Sequence, residues 1–323
     1  MTITESDRSS RRVVVTGASG LVGTALVASL RKAGHPVTRL VRSVPTDGLG
    51  PDDALWDPAS GTIDGAALDG AWAVVNLAGE GIGDGKWTEE HKRKVLDSRV
   101  QGTTLLATTM AAAERKPAIF ANGSAIGFYG DRGATTVDER AEPGRGFLSE
   151  VVKAWEAAAK PASDAGIPVA FLRTGIVMST KGGALKQQLL PFKLGVGGRL
   201  GKGTQYLSWI SLDDEIGAIR FVLDSALAGG STGGKPLTGP VNLVAPKPVT
   251  NLEFTKALGA ALHRPTLLPI PLLALKLLYG AEMVEEMLLS STRVDARAMS
   301  AHGYTFQHTE IGATLDYLLS TDG

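Results

Sequence analysis

Residues 12–23 read Arg12-Val13-Val14-Val15-Thr16-Gly17-Ala18-Ser19-Gly20-Leu21-Val22-Gly23. The β-branched run that opens this stretch shows no polar alternation, as a strand buried on both faces requires. Glycines spaced three apart follow. Residues 21–33 then take up helical periodicity until Gly34 stops it. Residues 36–41 form a second strand. A glycine pattern is weak alone, but strand, glycine turn, helix and strand in that order make a dinucleotide fingerprint. Gly17 permits the tight turn, Gly20 lets a pyrophosphate approach the backbone, and Gly23 lets the helix pack on the strand. Ser19, Leu21 and Val22 belong to the same loop and first turn. Their free N–H groups and the positive helix end suit phosphate.

The residue after the second strand sets the choice of dinucleotide. A carboxylate there binds the ribose 2′-hydroxyl and repels a 2′-phosphate. Here the sequence is Leu40-Val41-Arg42-Ser43. Arg42 offers a planar fork suited to phosphate, and Ser43 adds a hydroxyl. NADP(H), with NADPH as the reduced form, is therefore expected over NAD(H). Arg39 is a further helper unless strand alternation turns it away.

Outward from this unit the pattern repeats. Residues 71–77 and 118–122 read as strands. Residues 88–113 read as a long helix with Thr88 as N-cap and Glu89 and Glu90 in its first turn. Residues 146–165 read as another helix, 168–172 as a strand and 242–244 as a short strand. Alternating strands and helices imply a parallel sheet with helical crossovers. Residues 181–214 differ: glycine-rich, with Pro191, Gln205, Tyr206 and Trp209, they suit a mobile substrate cover. Residues 228–240 read as a surface loop, and the chain from Thr250 as mostly helical.

Composition bounds the rest. At ~150 residues per domain, 323 residues make about two domains or one with an appended lobe. Thirty-three basic and 33 acidic residues give no net charge, which argues against a nucleic-acid coat protein. Without cysteine there is no disulfide and no thiolate zinc site, and the five histidines lack ligand spacing. No metal is expected, and the adjacent Asp213 and Asp214 read as a helix cap or hinge contact. No apolar run reaches the ~18–20 residues of a membrane span. Residues 1–10 read as a solvated tail without a signal peptide, so a cytoplasmic protein is expected.

Further stretches carry a resemblance. Trp56-Asp57-Pro58 with Gly61, Val75-Asn76-Leu77-Ala78-Gly79, Lys86-Trp87-Thr88, Asp97-Ser98-Arg99, Ser124-Ala125-Ile126-Gly127-Phe128-Tyr129-Gly130, Leu172-Arg173-Thr174-Gly175 and Ser208-Trp209-Ile210 resemble an atypical "epimerase family" subgroup of the extended short-chain dehydrogenase/reductases. Residues 264–319 resemble the small helical domain that ends those chains. The resemblance implies that Leu77, Ala78 and Gly79 lie along the ribose and pyrophosphate and that Asp57 lies near the adenine. It implies that Arg173, Thr174 and Gly175 line the nicotinamide side and that Ser124 contacts a substrate oxygen.

One departure stands out. Most such proteins use a Tyr with a Lys four residues later, which exchanges a proton during hydride transfer. Here the corresponding pair is Phe147 and Val151 in one register, or Leu148 and Val152 in the other. Neither transfers a proton. Tyr129 is the nearest tyrosine to Ser124 in sequence, and it or a bound water becomes the proton-handling candidate. Glu80, Lys86 and Trp87, after a strand end, join Gln205 and Trp209 as candidate substrate contacts, with Arg99 on the helix behind.

The expected architecture is α/β: a Rossmann-type doubly wound parallel sheet with a smaller, mostly helical substrate and C-terminal lobe. Residues 11–180 form the NADP-binding domain, 215–245 complete its sheet, 181–214 cover the substrate, and 246–323 form the lobe. Two functions stay open. One is an oxidoreductase or nucleotide-sugar epimerase-like enzyme acting on a hydroxyl or carbonyl carbon of a small polar substrate, sugar nucleotides included. The other is an NADP(H) sensor without turnover. The oligomeric state is not legible.

Overall fold

A computed structural model describes residues 11–44, 48–227 and 235–321. The expected tail at 1–10 and most of the expected loop at 228–240 lie outside the described residues.

The strands are β1 (Val13–Thr16), β2 (Val37–Val41), β3 (Asp53–Asp57), β4 (Thr62–Ile63), β5 (Ala73–Asn76), β6 (Ile119–Ala125), β7 (Thr136–Val137), β8 (Val169–Thr174), β9 (Ile176–Met178), β10 (Tyr206–Leu207), β11 (Trp209–Ser211), β12 (Gly239–Leu243), β13 (Val249–Thr250) and β14 (Arg293–Val294). Eight of them form the central sheet in the order β12-β8-β6-β5-β1-β2-β3-β4. All its pairings are parallel except β3 with β4. The order reverses direction between β1 and β5, and such a switch point opens a crevice at the carboxyl ends of the strands.

Both faces of the sheet are covered. Helices Leu21–Lys32 and Leu212–Ser225 pack on one face, over Val13, Val15, Ala73, Val75 and Leu172. Helix Glu89–Ala112 covers the other face over Val14, Val74 and Phe120. β1 is buried along its whole length, as its unbroken apolar run requires. Helix Leu21–Lys32 ends at Ala33, with Gly34 at φ 87° beyond it. Thr88 caps the long helix, its hydroxyl accepting from the His91 N–H at 3.2 Å.

The helix expected over 146–165 is two, Phe147–Ala157 and Lys160–Asp164. Pro161 supplies the reason: it lacks an N–H and stands in the first turn of the second helix. Residues 181–214 hold more regular structure than a glycine-rich cover suggests, with helix Gly183–Lys193 followed by β10 and β11. Phe192 and Trp209 join Phe254, Leu258, Ile311 and Leu315 in a core that ties this segment to the C-terminal helices.

A buried polar chain fixes the strand ends. Thr16 Oγ1 donates to Asn76 Oδ1 at 2.6 Å, and Asn76 Nδ2 reaches Thr103 Oγ1 and Asn122 Oδ1 at 2.9 and 2.8 Å. Trp155 Nε1 donates to the same Thr103 hydroxyl at 3.0 Å. β1, β5, β6 and two helices are thereby pinned at the functional end of the sheet.

Candidate active site

The glycine loop leaves β1 with Gly17 at φ 64°, a left-handed conformation. A Cβ at Gly17 would stand 2.6 Å from the Leu77 carbonyl, so loop and β5 end meet backbone to backbone. The N–H groups of Leu77 and Ala78 donate to Thr16 Oγ1 at 3.1 and 3.2 Å. This holds Leu77, Ala78 and Gly79 beside the loop. A Cβ at Gly23 would stand 2.1 Å from Gly17 O, whereas one at Gly20 would meet only Gly17 O, at 3.3 Å. Ser19 and Gly20 are exposed, and Gly20 lays no side chain across the first-turn amides of the helix that holds Leu21 and Val22. A helix start with an open outer edge suits a pyrophosphate, so the residues present fit a dinucleotide.

Arg42 and Ser43 stand exposed just past β2. Arg39 is turned away, as alternation allows: its guanidinium forms a two-point pair with Asp53, at 2.6 Å for both bonds. Asp57 ends β3, next to β2, and accepts from the Ala59 N–H at 3.0 Å.

Beyond the strand ends lies a cavity of about 580 Å³. Ser124, Thr174 and Gly175 reach it from β6 and β8, and Tyr206 and Ser208 from the chain near β10. Glu285, Glu286 and Met287 face it from the π-helical turn Val284–Leu289 of the C-terminal lobe. Leu148 and Val152 form its apolar wall, while Phe147 turns out to stack edge-on against Trp87. Val151 lines the cavity with Leu148 and Val152, so both sequence registers place apolar side chains there. The helix has no side-chain cap of its own. Glu286 caps it from the lobe, accepting from the Phe147 and Leu148 N–H groups at 2.9 Å each. Gly146 (φ 101°) leaves room for that carboxylate, which a Cβ would approach to 2.7 Å.

Ser124 Oγ donates to Glu156 Oε1 at 2.6 Å. Glu156 is held by Arg173 through Nε at 2.8 Å and a terminal nitrogen at 2.9 Å. The third Arg173 nitrogen reaches Tyr129 Oη at 3.1 Å, and its Cζ lies 3.5 Å from the centre of the Phe128 ring. Arg173, expected along the nicotinamide, is therefore an internal clamp, 2% exposed. Tyr129 also departs from expectation. Its ring is fully buried and its hydroxyl donates to Asn242 Oδ1 at 2.6 Å. Burial raises the phenol pKa, which disfavours proton exchange. Tyr129 braces Arg173 and does not open on the cavity.

The five residues expected to touch substrate do not line the cavity. Tyr206, Leu207 and Ser208 line the cavity, whereas Gln205 and Trp209 on either side do not. The Gln205 amide donates to the Leu200 and Leu288 carbonyls. Trp209 is fully buried and donates from Nε1 to the Lys247 carbonyl at 3.0 Å. Trp87 donates to the Ile82 carbonyl at 2.9 Å, and Ile82 itself lines the cavity. Lys86 is exposed, and Glu80 joins through its backbone: its N–H donates to Ser98 Oγ and its carbonyl accepts from Arg99.

Arg99 does line the cavity. Burial draws its pKa down to about 10, and its Nε has no partner among the described residues. Glu156 and Glu215 are not among the candidates that the sequence singles out. Glu156 had a signal: it follows Leu148 and Val152 at steps of four, on one helix face. Glu215, beside the discounted aspartates, is 1% exposed and accepts from Thr174 Oγ1 at 2.8 Å. Its Oε2 has no partner among the described residues, and burial pushes its pKa up to about 8. Ser211 caps the helix that carries these acids. Asp214 ties down the C-terminal chain by accepting from the Gln307 and His308 N–H groups. No metal-binding group of three acidic or histidine side chains occurs among the described residues.

A glycine loop at a switch point, with a cavity beyond the strand ends, defines a Rossmann-type dinucleotide-binding protein. Residues 13–233 match the NAD dependent epimerase/dehydratase family, and residues 270–318 match a domain of unknown function, DUF1731. The chain belongs to that epimerase/dehydratase family. It is 41% identical to an epimerase family protein of Mycobacterium bovis over 312 residues, 96% of this chain and 98% of the other. The crystal structure of human epimerase family protein SDR39U1 with NADPH is similar, with a TM-score of 0.84 and 33% identity over 96% of this chain and 99% of that one. So is a nucleoside-diphosphate sugar epimerase from Corynebacterium glutamicum, with a TM-score of 0.78 and 36% identity over 98% of this chain and 59% of that one.

Proposed function

We propose that the protein binds NADPH and moves hydride between its nicotinamide and a hydroxyl or carbonyl carbon of a small polar substrate. The observation that carries this reading is Ser124, a hydroxyl at a strand end lining the cavity beside Thr174 and Gly175. The similarity to a human protein crystallised with NADPH supports the choice of cofactor. The similarity to a nucleoside-diphosphate sugar epimerase keeps sugar nucleotides among the substrates. Bound NADPH would supply the hydride. Residues 17–23 would hold its pyrophosphate, Leu77 to Gly79 its ribose side, and Thr174 and Gly175 the edge of its nicotinamide. Ser124 would orient the substrate oxygen, and Leu148 and Val152 would keep water from that point. No helix among the described residues is long and apolar enough to cross a membrane. A cytoplasmic location is part of the proposal.

A label-transfer assay tests the reaction. The protein is loaded with NADPH deuterated at C4, on either face, and given a small-molecule extract. Deuterium is expected in one metabolite by mass spectrometry. Binding without transfer from either face would leave an NADPH sensor, a reading that the apolar wall at Leu148 and Val152 favours.

Arg42 tests the cofactor choice. Arg42→Ala is expected to weaken NADPH binding at least about tenfold, the loss of one charge-assisted phosphate contact, and to leave NADH unchanged. Fluorescence titration reads both, and an equal loss would refute the 2′-phosphate contact.

A further inference from the structure

A substrate oxygen brought to Ser124 meets a hydroxyl whose proton is already committed. Ser124 Oγ lies 2.6 Å from Glu156 Oε1, which also accepts from Arg173 Nε. Burial opposes the charge on Arg173, but the bonds to Glu156 and its neighbours outweigh it and raise the arginine pKa. Glu156 serves as acceptor to Ser124 Oγ, to Arg173 Nε and to a terminal Arg173 nitrogen. Ser124 must therefore donate inward. Its Oγ faces the cavity as an acceptor, which binds O–H and not C=O. Phe128, under the Arg173 guanidinium, and Tyr129, bonded to it, keep this carboxylate in place. At the position of the missing pair, Leu148 and Val152 are apolar, and the Tyr129 hydroxyl is tied to Asn242.

We propose that Glu156, reached through Ser124, is the proton acceptor that replaces the missing Tyr and Lys, and that the site takes its substrate as the alcohol. This rests on the hydride-transfer reading. The substrate carbon gives hydride to oxidised nicotinamide, and its C–O bond becomes C=O. Ser124 Oγ takes the hydroxyl proton and passes its own to Glu156 Oε1. The substrate loses two electrons and NADP⁺ gains them, and reduction retraces the path. Glu156 keeps 12% of its side chain exposed, which gives the proton an exit to water.

The test uses the metabolite marked by deuterium in the assay above, supplied as its alcohol with NADP⁺. Glu156→Gln is expected to bind NADPH as the wild type does and to form product about 100-fold more slowly or worse. Glu156→Asp recovers part of the rate. In Glu156→Gln the loss falls on kcat, with KM for the alcohol unchanged. Ser124→Ala, which leaves the Glu156–Arg173 pair intact, shows the same loss of kcat and serves if Glu156→Gln does not fold. A wild-type kcat in either variant overturns the relay. A wild-type protein that binds NADPH and marks no metabolite overturns hydride transfer itself, and the relay with it.

Discussion

Gly23→Ala is expected to abolish NADPH binding and to destabilise the fold. The added methyl would stand 2.1 Å from Gly17 O and 2.9 Å from Ala18 Cα. Both are backbone atoms, so no side chain can rotate aside. Helix Leu21–Lys32 would have to lift from β1, at about 1–3 kcal/mol for overpacking, and its first-turn amides would leave the phosphate position. Gly20→Ala is the informative partner. There the methyl meets only Gly17 O at 3.3 Å, while its other side is exposed. That variant should fold with nearly wild-type stability yet lose NADPH, because its methyl occupies the approach of the pyrophosphate. Denaturant melts and NADPH fluorescence titrations separate the two effects. Wild-type affinity in Gly20→Ala would show that no pyrophosphate comes to this edge.

Glu215→Gln should change the pH dependence of stability. The ordinary pKa of 4.5 is pushed up to about 8 by burial, against a lowering by the Thr174 hydroxyl. Between those values the folded chain holds a proton that the unfolded chain has released. Folding then takes up a proton, so the stability due to this group is complete below pH 4.5 and is lost as pH rises through about 8. The slope is at most about 1.4 kcal/mol per pH unit. A glutamine is neutral throughout and lacks this slope. Melts of both proteins between about pH 5 and 9 should therefore diverge, the variant gaining on the wild type as pH rises. Parallel curves would mean that Glu215 is ionised in the folded protein at neutral pH.

The parts legible in the sequence were local. A buried strand, a glycine turn and a helix start within residues 13–23 each depend on neighbours a few positions away, and so does the Thr88 cap. β3 is not legible in the sequence because it sits near the sheet edge with mixed burial and shows neither alternation nor an apolar run. The candidate site was legible by position and not by contact. Ser124 and Thr174 reach the cavity, as strand-end placement implies. The fate of Tyr129 depended on Asn242, which is 113 residues away in sequence. Whether Arg173 faced a cofactor or an acid depended on the rotation of helix Phe147–Ala157, which brings Glu156 to β8. Trp209 has the composition of a binding residue, but one step of the pleat sends it into the core.

Glu286 bears on how such a chain can change over time. Its carboxylate caps the helix whose side chains form the cavity wall. The sheet domain thus borrows one of its own structural acceptors from a segment that arrives about 140 residues later. The C-terminal lobe is accordingly not an interchangeable module. A graft that replaced it with another helical lobe would leave two amides bare at the wall unless it delivered an acceptor to the same point. A movement of the turn that carries Glu286 would be felt directly at the cavity wall, through those two hydrogen bonds.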